Sequence, residues 1–439
     1  MLDPLYLKTA ATAPSSAGDP AVAETVRTVL ADIRDRGDAA VREYSEKFDK
    51  WSPESFKLSD EKIEEIISSV PIEVLDDIRT VQENVRVFAQ HQRDSLHDFE
   101  IETAPGVHLG QRNLPVSAAG AYAPGGRYPL VASAHMTTVT AKVAGVPHIT
   151  ACTPPIRGEI PAATVAAFHL AGAHEIYLLG GVQAVGAMAL GTETISKVDM
   201  LAGPGNAFVA EAKRQLFGEV GIDLFAGPTE VLVVADSDAD PFIVAVDLLS
   251  QAEHGPDSPA ILITESEALA RAVIEHIDAL LPDMPTRDFA GAAWRDHGQV
   301  IVVADIEAAY ALADTFASEH VQILTSEPRR ALDAMTNYGA LFLGEKTCVS
   351  YGDKVIGTNH TLPTRHAARY TGGLWVGKYI KTVTYQEVTD AAASAELGRL
   401  CGRAARVEYF EGHARSGDVR AAKFGGDNLS WKPKTPAAI

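Results

Sequence analysis

Cysteine is scarce: Cys152, Cys348 and Cys401 are the only three in 439 residues. They are odd in number and far apart, so neither a disulfide framework nor a CxxC metal site can be built from them, and a reducing compartment fits. No apolar run reaches the length of about 18 residues that a helix needs to cross a bilayer. The opening MLDPLYLKTAATAPSSAGDP lacks the basic segment and apolar run of a secretory signal. Positive charge is also in short supply. Lys and Arg number 38 against 58 Asp and Glu, a net charge of −20. That balance argues against nucleic acid or an anionic membrane as partner, but not against an anionic substrate in a locally basic pocket. A GxGxxG turn followed by an acidic residue about 20 positions on is missing, so the usual dinucleotide fingerprint is absent. These absences point to the cytoplasm, and the length points to more than one domain.

What is present is an alternation of short apolar runs and helical patterns. Residues 1–20 read as a loose arm, followed by charged helices at about 21–36, 61–69 and 72–92. From Val107 the character changes. Ala118–Tyr122, His148–Cys152 and Ile176–Leu179 read as strands, each followed by a helix. The rhythm resumes after Gly227-Pro228-Thr229 with strands at Val231–Ala235, Ala260–Thr264, Gln299–Val303, Val321–Leu324 and Ala340–Leu343. Strand–helix units of this kind predict an α/β fold with parallel sheets and crossover helices. The expected architecture is two Rossmann-like parallel-sheet domains, one of them discontinuous, with a helical N-terminal arm and C-terminal tail. The boundaries are 1–20 for the arm, 21–121 with 229–374 for the discontinuous domain, 122–228 for the second, and 375–439 for the tail. Asp390–Gly412 reads as one continuous helix.

Several stretches could carry chemistry. Gln251 and His254 stand three apart at the end of a helix pattern from about 242, stopped by Gly255-Pro256, so they would share one face. Pro124-Gly125-Gly126-Arg127, Gly180-Gly181 and Gly203-Pro204-Gly205-Asn206 each follow a strand and precede a helix, where a helix N-terminus offers free N–H groups to a phosphate. They could equally be turn glycines. Glu319-His320 joins a carboxylate to the side chain that titrates nearest neutrality. Tyr351–His360 reads as a polar loop, with Asp353 and His360 as candidate ligands or substrate contacts. Glu408 and His413 close the helical tail, where a histidine is usually a C-cap charge.

Taken together, Tyr122-Ala-Pro-Gly-Gly, Gly203-Pro-Gly-Asn, Ala226-Gly-Pro-Thr-Glu, Ser250-Gln-Ala-Glu-His-Gly-Pro-Asp, Glu319-His320, Gly352-Asp353 and Gly357-Thr-Asn-His resemble the histidinol dehydrogenase family. The resemblance implies a homodimeric zinc enzyme that uses NAD⁺ to take a primary alcohol through the aldehyde to a carboxylate. It places zinc on Gln251, His254, Asp353 and His413, the last reaching the partner subunit's site from a swapped tail. The metal site falls in the discontinuous domain and the NAD site in 122–228. It makes His320 the base for the alcohol proton and Glu319 the group that activates water. Tyr122, Gln183 and Asn206 match NAD contacts; His360 and Glu408 match substrate contacts, as do the four metal ligands and His320.

Two departures bear on the substrate. Thr229 stands where the family commonly has Ser at a substrate contact, and Arg365–Lys378 differs from the family's usual segment. With Lys354 beside Asp353, Ala292–Asp296 and Glu411–Arg415, they look more like the sulfopropanediol dehydrogenase branch, which oxidises 2,3-dihydroxypropane-1-sulfonate to sulfolactate. The alternatives are L-histidinol oxidation, a non-catalytic ligand-binding paralogue, and a metal lyase needing no nucleotide. Manganese suits the same ligand set as zinc.

Overall fold

The computed structural model describes residues 3–11, 19–125, 129–224 and 227–431. The expected loop residues Gly126 and Arg127, and Ala226 of the Ala226–Glu230 motif, lie outside them, as do 1–2 and 12–18 of the stretch 1–20. The chain forms two compact units, one of 1–93 with 115–379 and one of 94–114 with 380–439.

The larger unit holds two sheets. One has six strands in the order Leu5–Lys8, Gln299–Val302, Ala260–Thr264, Val231–Ala235, His320–Leu324 and Ala340–Leu343. All neighbours are parallel except the first pair. Its three central strands are buried along their whole length, as expected of a parallel sheet covered on both faces. Alternate residues feed opposite cores. Val231, Val233, Ala260 and Leu262 pack with helices 241–252, 267–280 and 287–297. Leu232, Val234, Ile261 and Ile263 pack with the 306–316 helix.

The other sheet has five parallel strands in the order Glu175–Leu178, His148–Thr153, Ala118–Tyr122, Met200–Ala202 and Gly221–Ile222. The parallel α/β class is therefore as expected, but the packing groups the segments differently. The helices Pro20–Arg36 and Asp38–Asp49 bury Val26, Val29, Ile33, Val41 and Tyr44 in the same core as Tyr122, Tyr177 and Leu201. Their apolar stripes need a cover, and the helices 181–190 and 207–216 provide it. Residues 20–49 and the strand 118–122 thus stand with 123–222, not with 229–374. The arm is not wholly loose either, because Leu5–Lys8 extends the six-stranded sheet as an antiparallel edge.

The smaller unit contains a three-stranded sheet, Ile380–Val388, Val107–Pro115 and Phe99–Ala104, and two helices, Ala391–Val407 and Glu411–Gly425. The single helix expected over 390–412 is broken at Glu408–Phe410. Tyr409 takes a left-handed φ of 63°, and Arg406 pairs with Glu411 and Asp418 across the break. Among the described residues no helix is long and apolar enough to cross a membrane.

One core group makes stability depend on acid. His135 is 3% exposed on the 131–144 helix, with Nδ1 3.2 Å from Gln82 Nε2. Burial, and then the nearby His360, hold its pKa down to about 4. The unfolded chain therefore takes up this proton first as pH falls. The stabilisation is complete above the ordinary histidine pKa and is lost between about 6.5 and about 4, amounting to about 3 kcal/mol. Urea unfolding of wild type and His135→Asn across that window should show a steeper acid loss in wild type. Parallel curves would contradict the assignment.

Candidate active site

The reactive residues sit at the amino ends of the strands of the six-stranded sheet. Glu230 precedes the 231–235 strand and Glu319 precedes the 320–324 strand. His320 pairs in register with Val231, so the two strand starts lie side by side. The 241–252 helix begins with Asp240 capping Phe242 N–H at 2.8 Å and Pro241 in its first turn. It returns antiparallel to its strand and brings Gln251 to the same end. The helix stops at Ala252, so His254 lies in the turn that follows rather than on the helix. Asp353 is also not in a loop: Val349–Lys354 forms a short helix that buries its carboxylate.

Asp353 is the meeting point. Gln251 Nε2 is 3.4 Å from its Oδ2, His254 Nε2 is 4.0 Å from the same oxygen, and His320 Nε2 is 3.4 Å from Oδ1. Burial opposes ionisation of Asp353, but hydrogen bonding and charge from His320, with His360 and His254, hold its carboxyl well below the usual range. Burial drives His254 down to about 4 against the pull of Asp353, so its imidazole is neutral. Gln251 is 2% exposed, and its buried Oε1 has no hydrogen-bond partner.

Glu319 and His320 are 6% and 2% exposed. His320 Nδ1 lies 3.0 Å from the carbonyl of Glu230. A carbonyl only accepts, so Nδ1 carries a fixed hydrogen, and Nε2, turned toward Asp353, is the nitrogen whose proton titrates. Burial would lower the His320 pKa, but Glu319 and Asp353 outweigh it and raise it to about 9. Burial pushes Glu319 up to about 8, and its Oε2 accepts from Glu230 N–H at 2.9 Å. His360 is fixed in the same way. Nδ1 donates to the carbonyl of Asp353 at 3.0 Å, and Nε2 faces Ser133 Oγ at 3.2 Å.

Ser133, His254, Glu319, His320, Asp353 and His360 line a cleft of about 660 Å³ together with Thr229, Lys354, Arg365 and Asn206, a size typical of small-molecule sites. Its far wall is the turn Gly203–Asn206 at the carboxyl end of the 200–202 strand. Gly203 has φ 130°, and a Cβ there would lie 2.0 Å from the carbonyl of Tyr122, so only glycine fits. Its N–H donates to Asp223 Oδ2 at 2.8 Å and its carbonyl accepts from Lys213 Nζ at 3.0 Å. Lys213 and Asp223 form an ion pair whose side chains are 4% and 0% exposed. Asn206 caps the 207–216 helix through Phe208 and Val209 N–H.

Not every candidate reaches the cleft. Tyr122 and Gln183 are buried behind it: Tyr122 Oη accepts from Gly181 N–H at 3.0 Å, and Gln183 Nε2 donates to Asp49 Oδ2 at 2.7 Å. Glu408 and His413 belong to the smaller unit, where both are exposed and His413 packs edge-on against Phe410. Glu230 and Ser133 were missed by sequence reasoning. Glu230 lay within a quoted motif, but its bonds to Glu319 and His320 arise from strand pairing, which leaves no local signal. Ser133 had none.

The family model for histidinol dehydrogenase matches residues 13–421. This chain belongs to the histidinol dehydrogenase family. It is 60% identical over 404 residues to a protein of Shouchella clausii named histidinol dehydrogenase homolog, covering 92% of this chain and 95% of that one. It is 51% identical over 423 residues to the sulfopropanediol 3-dehydrogenase of Ruegeria pomeroyi, covering 95% and 96%. The crystal structure of histidinol dehydrogenase from Elizabethkingia anophelis superposes with a TM-score of 0.88 at 36% identity, covering 94% of each chain.

The residues present suit the two cofactors that a histidinol dehydrogenase implies. An ionised carboxylate, a neutral imidazole and an orphaned amide oxygen are the donor types a divalent cation takes from nitrogen and oxygen. Among the described residues no three His, Cys, Asp or Glu side chains form a ready metal site, so this set needs a further ligand. For the nucleotide, the Gly180-Gly181 and Gly203–Asn206 turns lie at the carboxyl ends of parallel strands, each opening a helix. The buried Gln183 Oε1 beside them has no hydrogen-bond partner.

Proposed function

We propose that this chain is a zinc- and NAD-dependent dehydrogenase that oxidises the primary alcohol of a small anionic substrate, 2,3-dihydroxypropane-1-sulfonate, through the aldehyde to 3-sulfolactate. The observation that carries the substrate is the placement of two cationic side chains, Lys354 and Arg365, in the cleft that holds His320 and Asp353, in a chain of net charge −20. The relative named sulfopropanediol 3-dehydrogenase supports the same reading.

Gln251, His254 and Asp353 would hold zinc, completed by the partner subunit's His413. Val407 and Tyr409, 80% and 95% exposed beside that histidine in sequence, suit a tail that docks on a second copy. Bound there, zinc would orient and polarise the substrate oxygen, and NAD⁺, bound near Tyr122, Gln183 and Asn206, would accept hydride. His320 takes the alcohol proton at Nε2, its hydrogen at Nδ1 held by the Glu230 carbonyl. The first half converts RCH2OH and NAD⁺ to RCHO, NADH and a proton. In the second, Glu319 removes a proton from the water that attacks the aldehyde; RCHO, water and NAD⁺ give RCOO⁻, NADH and two protons. Thr229, His360 and the partner subunit's Glu408 are the remaining substrate contacts.

L-Histidinol is the second reading, favoured by the names of other relatives. The test is NADH formation by zinc-loaded protein, run in parallel on the two alcohols. A higher kcat/KM on the sulfonate is expected. A higher value on L-histidinol would replace the first reading by the second, and zinc-loaded protein that never reduces NAD⁺ would point to a non-catalytic paralogue.

A further inference from the structure

We infer that Arg365 is the substrate-anion contact, and that the carboxylate of Glu230 is the positioning residue that holds it over the cleft. This rests on the reading that the substrate is a small anionic alcohol. Arg365 and His366 are consecutive residues with left-handed φ angles of 53° and 64°, a backbone that side-chain-bearing residues adopt only when their surroundings impose it. Three contacts impose it here. Arg365 N–H donates to Glu230 Oε1 at 2.7 Å. His366 Nδ1 donates to the carbonyl of Phe316 at 2.7 Å. Thr364 Oγ1 accepts from Gly227 N–H at 2.5 Å.

The strained turn lays the Arg365 side chain along the cleft wall. A Cβ on Gly227 would lie 2.7 Å from Arg365 Nε, so a larger residue at 227 would displace the guanidinium. Glu230 is the link to the chemistry. Its carbonyl accepts from His320 Nδ1 and its N–H donates to Glu319, while its carboxylate holds the turn that carries Arg365. One residue thereby fixes the distance between the reacting carbon and the anionic end of the substrate. A guanidinium fork matches the oxygens of a sulfonate, and Lys354 adds a second charge to the same cleft.

The test compares wild type, R365Q, E230A and E230Q, all zinc-loaded. NADH formation is followed on 2,3-dihydroxypropane-1-sulfonate and on glycerol, which has hydroxyl in place of sulfonate. Calorimetric binding of 3-sulfolactate is measured on the same samples, independently of turnover. R365Q is expected to raise KM for the sulfonate and Kd for sulfolactate by about tenfold to a hundredfold, the cost of a lost charged hydrogen bond, with a smaller loss of kcat/KM on glycerol, which has no anionic end to hold. E230A should weaken the sulfonate in the same way. E230Q keeps the oxygen acceptor and should restore values near wild type. Unchanged sulfolactate binding in R365Q overturns the Arg365 assignment, and equal losses on both alcohols in E230A overturn the role of Glu230. If wild type binds no sulfolactate, the anionic-substrate reading falls and takes this assignment with it. If wild type binds it and R365Q binds it equally well, only the assignment falls.

Discussion

Replacing His320 by Asn should lower kcat by about a hundredfold to ten-thousandfold, the range for losing a positioned general base. The protein should remain folded and zinc should still bind, because His320 is adjacent to Gln251, His254 and Asp353 without belonging to the proposed ligand set. The expectation rests on geometry: Nδ1 is committed to the Glu230 carbonyl, so the proton is exchanged at Nε2, and because the His320 pKa is raised to about 9 kcat is compared at alkaline pH, where the base form is present. Asn can keep the bond to Glu230 but offers no basic nitrogen. Steady-state NADH formation, with metal content and thermal unfolding measured on the same sample, separates loss of chemistry from loss of structure. A kcat within about tenfold of wild type, in a folded and zinc-loaded variant, would remove His320 from the role of base.

Asp223→Ala should cost about 3–5 kcal/mol of stability, because it leaves Lys213 charged and buried with no counter-ion. The pair also holds both polar backbone groups of Gly203, so the Gly203–Asn206 turn should loosen with it. Adding Lys213→Met to the same chain removes the stranded charge and should recover part of the loss. Urea unfolding of the two single variants and the double variant gives the coupling directly. A single-variant loss below about 1 kcal/mol would mean that water reaches the pair and that the turn is held by other contacts.

The parallel α/β class was legible because its signals are local. Runs such as Val231–Ala235 and Ala260–Thr264 are apolar throughout, bounded by turn residues and followed by helical patterns, which is how a doubly covered strand reads. Caps such as Asp19-Pro20 mark helix starts without help from tertiary structure. What could not be read was long-range. The partnering of the 20–49 helices with the five-stranded sheet depends on which apolar surfaces are left uncovered after both sheets form. The pairing of Leu5–Lys8 with Gln299–Val302 joins segments nearly 300 residues apart. The break at Glu408–Phe410 sits within a helical pattern and shows only as one left-handed residue. At the site, Gln251, His254, Glu319, His320 and Asp353 were named from motifs; Gln251, His254 and His320 converge on the Asp353 carboxylate, and Glu319 lies against His320. Tyr122 and Gln183 were named in the same way, yet the Tyr122 hydroxyl is bonded to Gly181 and the Gln183 Nε2 to Asp49 inside the core, leaving the buried Gln183 Oε1 unpartnered. Motif matching identifies positions; it does not say whether a side chain faces the cleft.

The most direct measurement is the yield of NADH when a limiting amount of 2,3-dihydroxypropane-1-sulfonate is given to zinc-loaded protein with excess NAD⁺. Two NADH are expected for each alcohol consumed, with 3-sulfolactate as the product. No NADH from the sulfonate, from a sample that oxidises L-histidinol, would contradict it.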